Sequence, residues 1–236
     1  MTTLNKSIIS IIPARGGSKG IPNKNIIEIS GKPLIAWTIE QSISTKTISK
    51  TYVSTNDAQI AAVAEQFGAE IIWRPNELSG DKSTSESAIS HALNYLKTEK
   101  QIVPDYIVFL QATSPLRKVD DIDNAILKII SEDADSLFSG AEFDDFLFWE
   151  KNGSDLRSIN YDYKNRGCRQ DRLPQFVENG SLYVFKPEIL LKTNNRLGGK
   201  TSIYEMDFWQ SWEIDTLEDV ELIEFYIKLK LNNESQ

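Results

Sequence analysis

Short apolar runs alternate with helical periodicity through the first half of the chain. The runs at 7–12 and 106–110 are rich in Ile, Val and aromatic residues, which is typical of strands buried on both faces. Between them, apolar residues recur every three or four positions, as in Leu34, Ile35 and Ile39, and predict helices. Because strand and helix alternate, the pattern predicts an α/β fold with a doubly wound, mostly parallel sheet. We predict strands at 8–12, 51–55, 70–73 and 106–110, and helices from Pro33 and over 58–67, 85–97 and 119–130.

The second half of the chain departs from this alternation. After a predicted strand at 134–141, the segment 142–172 is rich in aromatic and charged residues, with Asn152-Gly153 as the turn of a hairpin. We interpret residues 1–236 as a single domain in which 142–172 is an inserted segment. The hairpin strands are predicted at 146–151 and 155–159, and extended segments at 179–185, 201–206 and 209–214. A C-terminal helix is predicted from Thr216, with Asp219 as capping-box partner and Leu217, Val220, Ile223 and Ile227 facing the sheet.

Polar residues collect where the predicted strands end. The first strand runs into Arg15, the third into Arg74, and the strand ending at Leu110 into the segment 111–117, which reads QATSPLR. In open α/β sheets, ligands bind outside the carboxyl ends of the strands. The sequence therefore predicts a ligand site at this edge of the sheet.

The composition of the chain restricts the kinds of partner that this site is expected to bind. The chain has 26 Lys and Arg against 34 Asp and Glu, a net charge of −8, which argues against nucleic-acid or membrane-surface binding. With Cys168 as the single cysteine and no long apolar N-terminal stretch, we expect a cytoplasmic protein. His91, the only histidine, lies off the apolar stripe of its helix and is expected to be exposed, so no zinc site or histidine triad is predicted.

The loop after the first strand carries the most distinctive chemistry. Residues 14–25 read ARGGSKGIPNKN, with three glycines beside several cations. Glycines allow close approach of the backbone to a ligand, and Arg and Lys attract phosphate oxygens. The spacing is neither that of a P-loop nor GxGxxG, which disfavours a dehydrogenase. By composition alone, a phosphate-binding loop and a merely flexible one are equally consistent with it.

This loop resembles the signature loop of the acylneuraminate cytidylyltransferases, which make CMP-activated nonulosonic (sialic-type) sugars. QATSPLR resembles the family's QPTSPLR, with Ala112 in place of a proline, and the agreement runs in order from Ile12 to Asp215. The resemblance implies a Rossmann-like nucleotidyltransferase. It would use CTP and Mg²⁺ to convert a nonulosonic acid into its CMP-sugar with release of pyrophosphate.

The resemblance also implies roles for individual residues. Catalysis is assigned to Arg15, Lys24 and Asp215, because cations stabilise the charge of the phosphates. Thr84 or Ser83 is equally expected as a helix N-cap, and Lys19 as an exposed loop lysine. The implied nucleotide-binding residues are Arg15, Gly16, Ser18, Lys24, Asn25, Arg74, Asp81 and Thr84.

On the acceptor side the resemblance implies Gln111, Arg169, Arg172 and Asn179 as sugar-binding residues. An arginine fork suits the carboxylate of a nonulosonic acid, and Arg169 and Arg172 remain equal candidates for it.

The predicted metal ligands are Asp215 and Glu213. The family pattern is Asp-x-Asp, and a strand would place both carboxylates on one face. Because Glu213 departs from the pattern, Asp215 is the safer assignment. Without the resemblance, both would be read as solvated charges before a helix.

Several alternatives stay open. A 3-deoxy-manno-octulosonate cytidylyltransferase and a catalytically silent sugar-nucleotide-binding module are the rival functions, and neither the acceptor sugar nor the general base is identified. The aromatic residues of 142–172 exceed what a hairpin can bury, and the family dimerises through an insertion at this point. We therefore expect a homodimer with Phe146, Phe148 and Trp149 near its interface.

Overall fold

The computed structural model describes residues 6–143, 146–168, 170 and 172–231. The α-helices of these ranges are α1 (Leu34–Ser44), α2 (Ala58–Gln66), α3 (Ser85–Glu99), α4 (Asp121–Ser131), α5 (Pro187–Thr193) and α6 (Leu217–Tyr226). The strands are β1 (Ile8–Pro13), β2 (Glu28–Ile29), β3 (Lys32–Pro33), β4 (Lys50–Thr55), β5 (Glu70–Trp73), β6 (Tyr106–Leu110), β7 (Ser136–Glu142), β8 (Trp149–Asn152), β9 (Asp155–Ser158), β10 (Phe176–Phe185) and β11 (Thr201–Glu205). None of these helices is long and apolar enough to cross a bilayer.

Seven strands form one twisted sheet in the order β11-β7-β10-β6-β1-β4-β5. All neighbours pair in parallel except β10, which runs antiparallel to both β6 and β7. The predicted doubly wound, mostly parallel α/β sheet is therefore confirmed. The hairpins β2–β3 and β8–β9 lie outside it.

The central strand β1 is covered on both sides. Ile8 and Ile12 pack in the core that the sheet shares with α1, α2 and α4, while Ile9 and Ile11 pack in the core beneath α3. This two-sided burial explains the continuous apolar run at 7–12. A third apolar cluster joins α6 to the base of the glycine-rich loop through Ile223.

Helix starts follow local capping chemistry. The Asp57 carboxylate accepts hydrogen bonds from the N–H groups of Gln59 and Ile60 at the start of α2. Thr216 and Asp219 form the predicted capping box of α6. Both caps satisfy N–H groups that have no partner within the helix, so the predicted starts are confirmed.

The prediction of an extended segment at 209–214 is wrong. Residues Phe208–Ser211 form a 3-10 helix that begins with a capping box between Asp207 and Gln210. The buried Gln210 amide donates to Leu116 O at 2.8 Å and to Asp121 Oδ2 at 2.7 Å. These long-range bonds, which sequence periodicity does not reveal, hold the turn in place of a strand.

Smaller differences concern exposure and turns. Leu217, predicted to face the sheet, is exposed, whereas Ile223 and Ile227 are buried as expected. The hairpin pairs Asn152 with Asp155, so its turn lies one residue later than predicted.

The inserted segment leaves and re-enters the sheet at one place. Phe176 of β10 pairs with Glu142 of β7, and the N–H of Phe143 donates to Gln175 O at 3.1 Å. The β8–β9 hairpin therefore projects from the junction of two neighbouring strands.

Candidate active site

The glycine-rich loop is anchored to the carboxyl ends of β1 and β4. Gly16 N–H donates to Asn56 Oδ1 at 3.1 Å, and the buried Asn25 amide donates to Arg15 O at 3.1 Å. A Cβ at Gly16 would lie 2.7 Å from Asp57 Oδ2, so the close approach requires glycine. Two of the predicted nucleotide-binding residues, Gly16 and Asn25, thus hold the loop in shape.

The cations of the loop are paired with carboxylates. Arg15 Nη1 lies 3.0 Å and Lys19 Nζ 2.5 Å from the Asp81 carboxylate, and hydrogen bonds from both lower the pKa of Asp81. Lys24 Nζ lies 2.7 Å from Asp215 Oδ1. Lys19 is exposed, as expected for a loop lysine. Any phosphate bound here would compete with Asp81 and Asp215 for these cations.

A pocket of about 170 Å³ opens between the β1 loop and the start of α3. It is lined by Pro13, Arg15, Arg74, Leu78, Ser83, Thr84 and Ser85. Arg74 is only 7% exposed, and its Nε and Nη2 atoms are buried without a hydrogen-bond partner in the described residues. Burial, with a smaller contribution from the Arg15 charge, lowers the pKa of Arg74. Buried donors without acceptors are costly, so this guanidinium is suited to a ligand that brings its own acceptors.

Thr84, which lines this pocket, has a structural role, and His91 lies further along the same helix. Thr84 is the N-cap of α3, and its Oγ1 accepts from Ser87 N–H at 3.2 Å, which confirms the capping interpretation. His91, expected to be exposed, is half-buried, and its Nδ1 is buried without a partner among the described residues. Burial, then the Arg74 charge, lowers the pKa of His91.

Gln111, a predicted sugar-binding residue, directly follows β6. Its amide nitrogen donates to Thr113 Oγ1 at 3.0 Å and to Glu213 Oε2. A Cβ at Gly180, where φ is +68°, would lie 3.5 Å from Gln111 Oε1. The Gln111 side chain therefore lies between the β10 bulge at Gly180 and the segment that contains Glu213.

The two predicted metal ligands flank the buried Ile214, whose N–H donates to Thr113 O at 2.9 Å. They do not lie on a strand, contrary to the prediction. Burial, and next the charge of Asp215, raises the pKa of Glu213. The glycine-rich loop passes directly against Asp215, since a Cβ at Gly20 would lie 2.8 Å from Asp215 O. In the described ranges no group of three or more Asp, Glu, His or Cys residues forms a metal site, so this is a two-carboxylate arrangement.

The other predicted sugar-binding residues differ from one another in burial and hydrogen bonding. Asn179 is buried, and its Oδ1 accepts from Ser139 Oγ at 2.5 Å and from Ser181 N–H at 3.2 Å. Its amide is thus engaged within the fold. Arg172 is half-buried, and its Nε has no hydrogen-bond partner within the described part of the chain. Arg169 lies outside the described residues, and Ser18 is a half-buried loop residue. Their substrate roles stay predictions.

One residue of the site was missed by sequence reasoning. Arg117, at the end of the QATSPLR segment, is 1% exposed and lies directly beneath Gln111. Its guanidinium donates to Gln111 O at 2.8 Å and to Ser181 O at 2.6 Å. Burial lowers its pKa to about 9. The available signal was its place in the motif, but an arginine after a loop is ordinarily solvated.

A family model described as Cytidylyltransferase matches residues 9–230 of the chain. Pseudaminic acid cytidylyltransferase of Campylobacter jejuni is 32% identical over 96% of this chain and 98% of its own length. N-acylneuraminate cytidylyltransferase of Escherichia coli is 33% identical over 93% of this chain and 52% of its own length. A CMP:2-keto-3-deoxy-manno-octonic acid synthetase complexed with CTP superposes with a TM-score of 0.70 at 15% identity, over 95% of this chain and 99% of that one, and supports the fold. The chain therefore belongs to the cytidylyltransferase family.

Proposed function

We propose that this protein transfers the CMP group of CTP to a nonulosonic acid. The anomeric hydroxyl of the acid attacks the α-phosphate of CTP, a P–O bond forms, the bond to pyrophosphate breaks, and the hydroxyl proton is lost. The proposal is supported by relatives named pseudaminic acid and N-acylneuraminate cytidylyltransferases. One observation carries it: the loop cation Lys24, the Glu213–Asp215 pair and Gln111 converge at one edge of the sheet.

The nucleotide half is the glycine-rich loop with the pocket of Arg74. Arg15 and Lys24 lie where they can exchange their carboxylate partners for phosphate oxygens. Arg74 offers unpaired donors to the base or ribose. Gln111 faces the other half, where the acid would bind. In this arrangement the protein contributes positioning and charge stabilisation rather than covalent chemistry.

The same residues fit Mg²⁺. Asp215 and Glu213 supply two adjacent carboxylates, and oxygen ligands from carboxylates plus triphosphate are the set that Mg²⁺ prefers. When bound there, Mg²⁺ would neutralise charge on the triphosphate. Asp215 would hold it, while Glu213 is also engaged with Gln111 and Thr113.

Nucleotide choice provides the direct test. With Mg²⁺ and either N-acetylneuraminic or pseudaminic acid, we expect CTP to support pyrophosphate release and UTP, ATP and GTP to be far weaker. Mass spectrometry of the product identifies the acceptor, and 3-deoxy-manno-octulosonic acid serves as the control acid. Equal rates with UTP would refute the cytidylyl assignment. Turnover of the control acid alone would favour the octulosonate alternative, and nucleotide binding without turnover of any acid would favour a silent binding module.

We further propose that the protein acts as a cytoplasmic homodimer. Phe146, Phe148 and Trp149 are each more than two-fifths exposed, although Phe146 also stacks on Phe208 at 5.6 Å. Exposed aromatic residues in one segment are typical of interfaces. Phe208 in turn contacts Trp212, which precedes Glu213, so the aromatic patch adjoins the acceptor side of the site.

The homodimer predicts a mass change on mutation. Light scattering at micromolar concentration should give about twice the 26.7 kDa mass of one chain. Replacing Phe148 and Trp149 together with serine should shift the protein toward monomer and slow turnover of the acid. Phe225→Ser, an exposed aromatic residue on α6, is the matched control and should remain dimeric. A monomeric, fully active wild-type protein would contradict this proposal.

A further inference from the structure

The buried guanidinium of Arg117 donates its hydrogen bonds to neutral groups, and the charge of Asp121 also acts on it. Nη1 donates to Thr38 Oγ1 at 3.1 Å and to Gln41 Oε1 at 3.0 Å, both on α1. Nη2 donates to the main-chain carbonyls of Gln111 and Ser181. A buried charge is expensive to maintain, and these four bonds together with the charge of Asp121 offset that expense, although Nε has no hydrogen-bond partner among the described residues. This arginine thereby joins α1 to the main chain at Gln111 and Ser181.

Arg117 binds both strands at the place where the pairing of β6 with β10 ends. The N–H of Gln111 donates to Ser181 O at 3.2 Å, and Arg117 Nη2 reaches the carbonyl oxygens of both residues. On the β10 side, the register shifts between Glu178 and Tyr183, and this bulge contains Gly180. A single nitrogen therefore ties the end of β6 to the bulge of the antiparallel strand.

This tie fixes the direction of the Gln111 side chain. The peptide of Gln111 is bonded at its N–H by Ser181 and at its carbonyl by Arg117, so its Cα–Cβ vector has little freedom. The side chain passes over Gly180 to Glu213 and Thr113. A displacement of about 1 Å in a substrate-contacting group can lower a rate by about 10²-fold.

We propose that Arg117 is a positioning residue that aligns Gln111 toward the acceptor acid. It acts on the acceptor half of the site and not on the nucleotide half, which is built from the β1 loop and the start of α3. The inference rests on the proposed function, because the acceptor is a nonulosonic acid only if that function holds.

Arg117→Lys keeps the charge but cannot reproduce the fork, because an ammonium donates from one atom. We expect the KM for the acid to rise or kcat to fall by about tenfold or more, while the Kd for CTP changes less than about twofold. Ser136→Ala is the matched control for lost stability. It removes the hydrogen bonds of a buried residue's hydroxyl to Gly198 and Thr201 at the end of β7 that pairs with Phe185, away from the β10 bulge, and should lower the melting temperature without changing the acid parameters.

A double-mutant cycle separates positioning from simple destabilisation. In a Gln111→Ala background, Arg117→Lys should have little further effect on kcat/KM for the acid, since the group it aligns is gone. Additive effects, or an equal loss of CTP affinity measured by calorimetry, would overturn the proposal. Failure of the wild-type protein to turn over any nonulosonic acid would refute the proposed function instead.

Discussion

Replacing Asp215 with asparagine is expected to reduce CMP transfer on the order of 10³-fold. Asparagine keeps the shape of the side chain but removes the charge that pairs with Lys24 Nζ at 2.7 Å. A neutral amide is also a weaker ligand for Mg²⁺ than a carboxylate. Pyrophosphate release at saturating CTP and acid, with Mg²⁺ varied, measures the effect.

Glu213→Asp is the matched control for Asp215→Asn. It keeps the carboxylate and restores the family's Asp-x-Asp pattern, and we expect activity within about tenfold of wild type. Calorimetry of CTP binding with and without Mg²⁺ gives a second readout: the increase in affinity due to Mg²⁺ should be lost in Asp215→Asn. Normal turnover of Asp215→Asn would show that the carboxylate pair is a surface feature.

The two lysines of the glycine-rich loop should differ sharply when each is replaced with methionine. Lys24→Met is expected to lower kcat by about 10²- to 10³-fold, since it removes a cation from beside the reacting phosphates. Lys24 is 17% exposed and paired with Asp215, whereas Lys19 is 78% exposed and paired with Asp81. For Lys19→Met we expect a change within about threefold, as for other solvated ion pairs.

The salt dependence of CTP binding distinguishes a specific contribution of Lys24 from a general attraction of anions by a positive side chain. A lysine that only attracts anions from solution should lose its effect as ionic strength rises. We expect the loss in Lys24→Met to persist at high salt. If both variants lose the same activity, and salt abolishes the difference from wild type, Lys24 has no specific catalytic role.

Much of the fold could be predicted because its signals are local. The strands at 70–73 and 106–110 were predicted to the residue, since each is a short, mostly apolar run with a turn or loop on both sides. The cap at Asp57 needs only neighbouring N–H groups. The turn at 208–211 could not be predicted, because Gln210 bonds to atoms about ninety positions earlier in the chain.

The residues of the site likewise divide into those that local signals predict and those that depend on long-range contacts. The rule that ligands bind at strand ends predicts a site at the edge of the sheet where Arg15, Arg74 and Gln111 follow β1, β5 and β6. The resemblance assigned both Lys24 and Asp215 to the site, but their pairing, between residues 191 positions apart, was not predicted. The burial of Arg117 and His91 was not predicted, because neighbours from other elements decide whether a polar side chain is covered.

The single point of entry and exit of the inserted segment has a consequence for how this fold can diversify. Because Glu142 and Phe176 pair directly, the sheet stays continuous regardless of which residues lie between them in the sequence. The entropy of closing a loop grows only slowly with its length, so the segment can lengthen, shorten or change its surface without strain on the strands. The glycine-rich loop has no such freedom, since Gly16 and Gly20 lie in close contact with neighbouring groups. Under the proposed function, acceptor preference and dimerisation can therefore evolve through the inserted segment, while the loop proposed to bind the nucleotide keeps its shape.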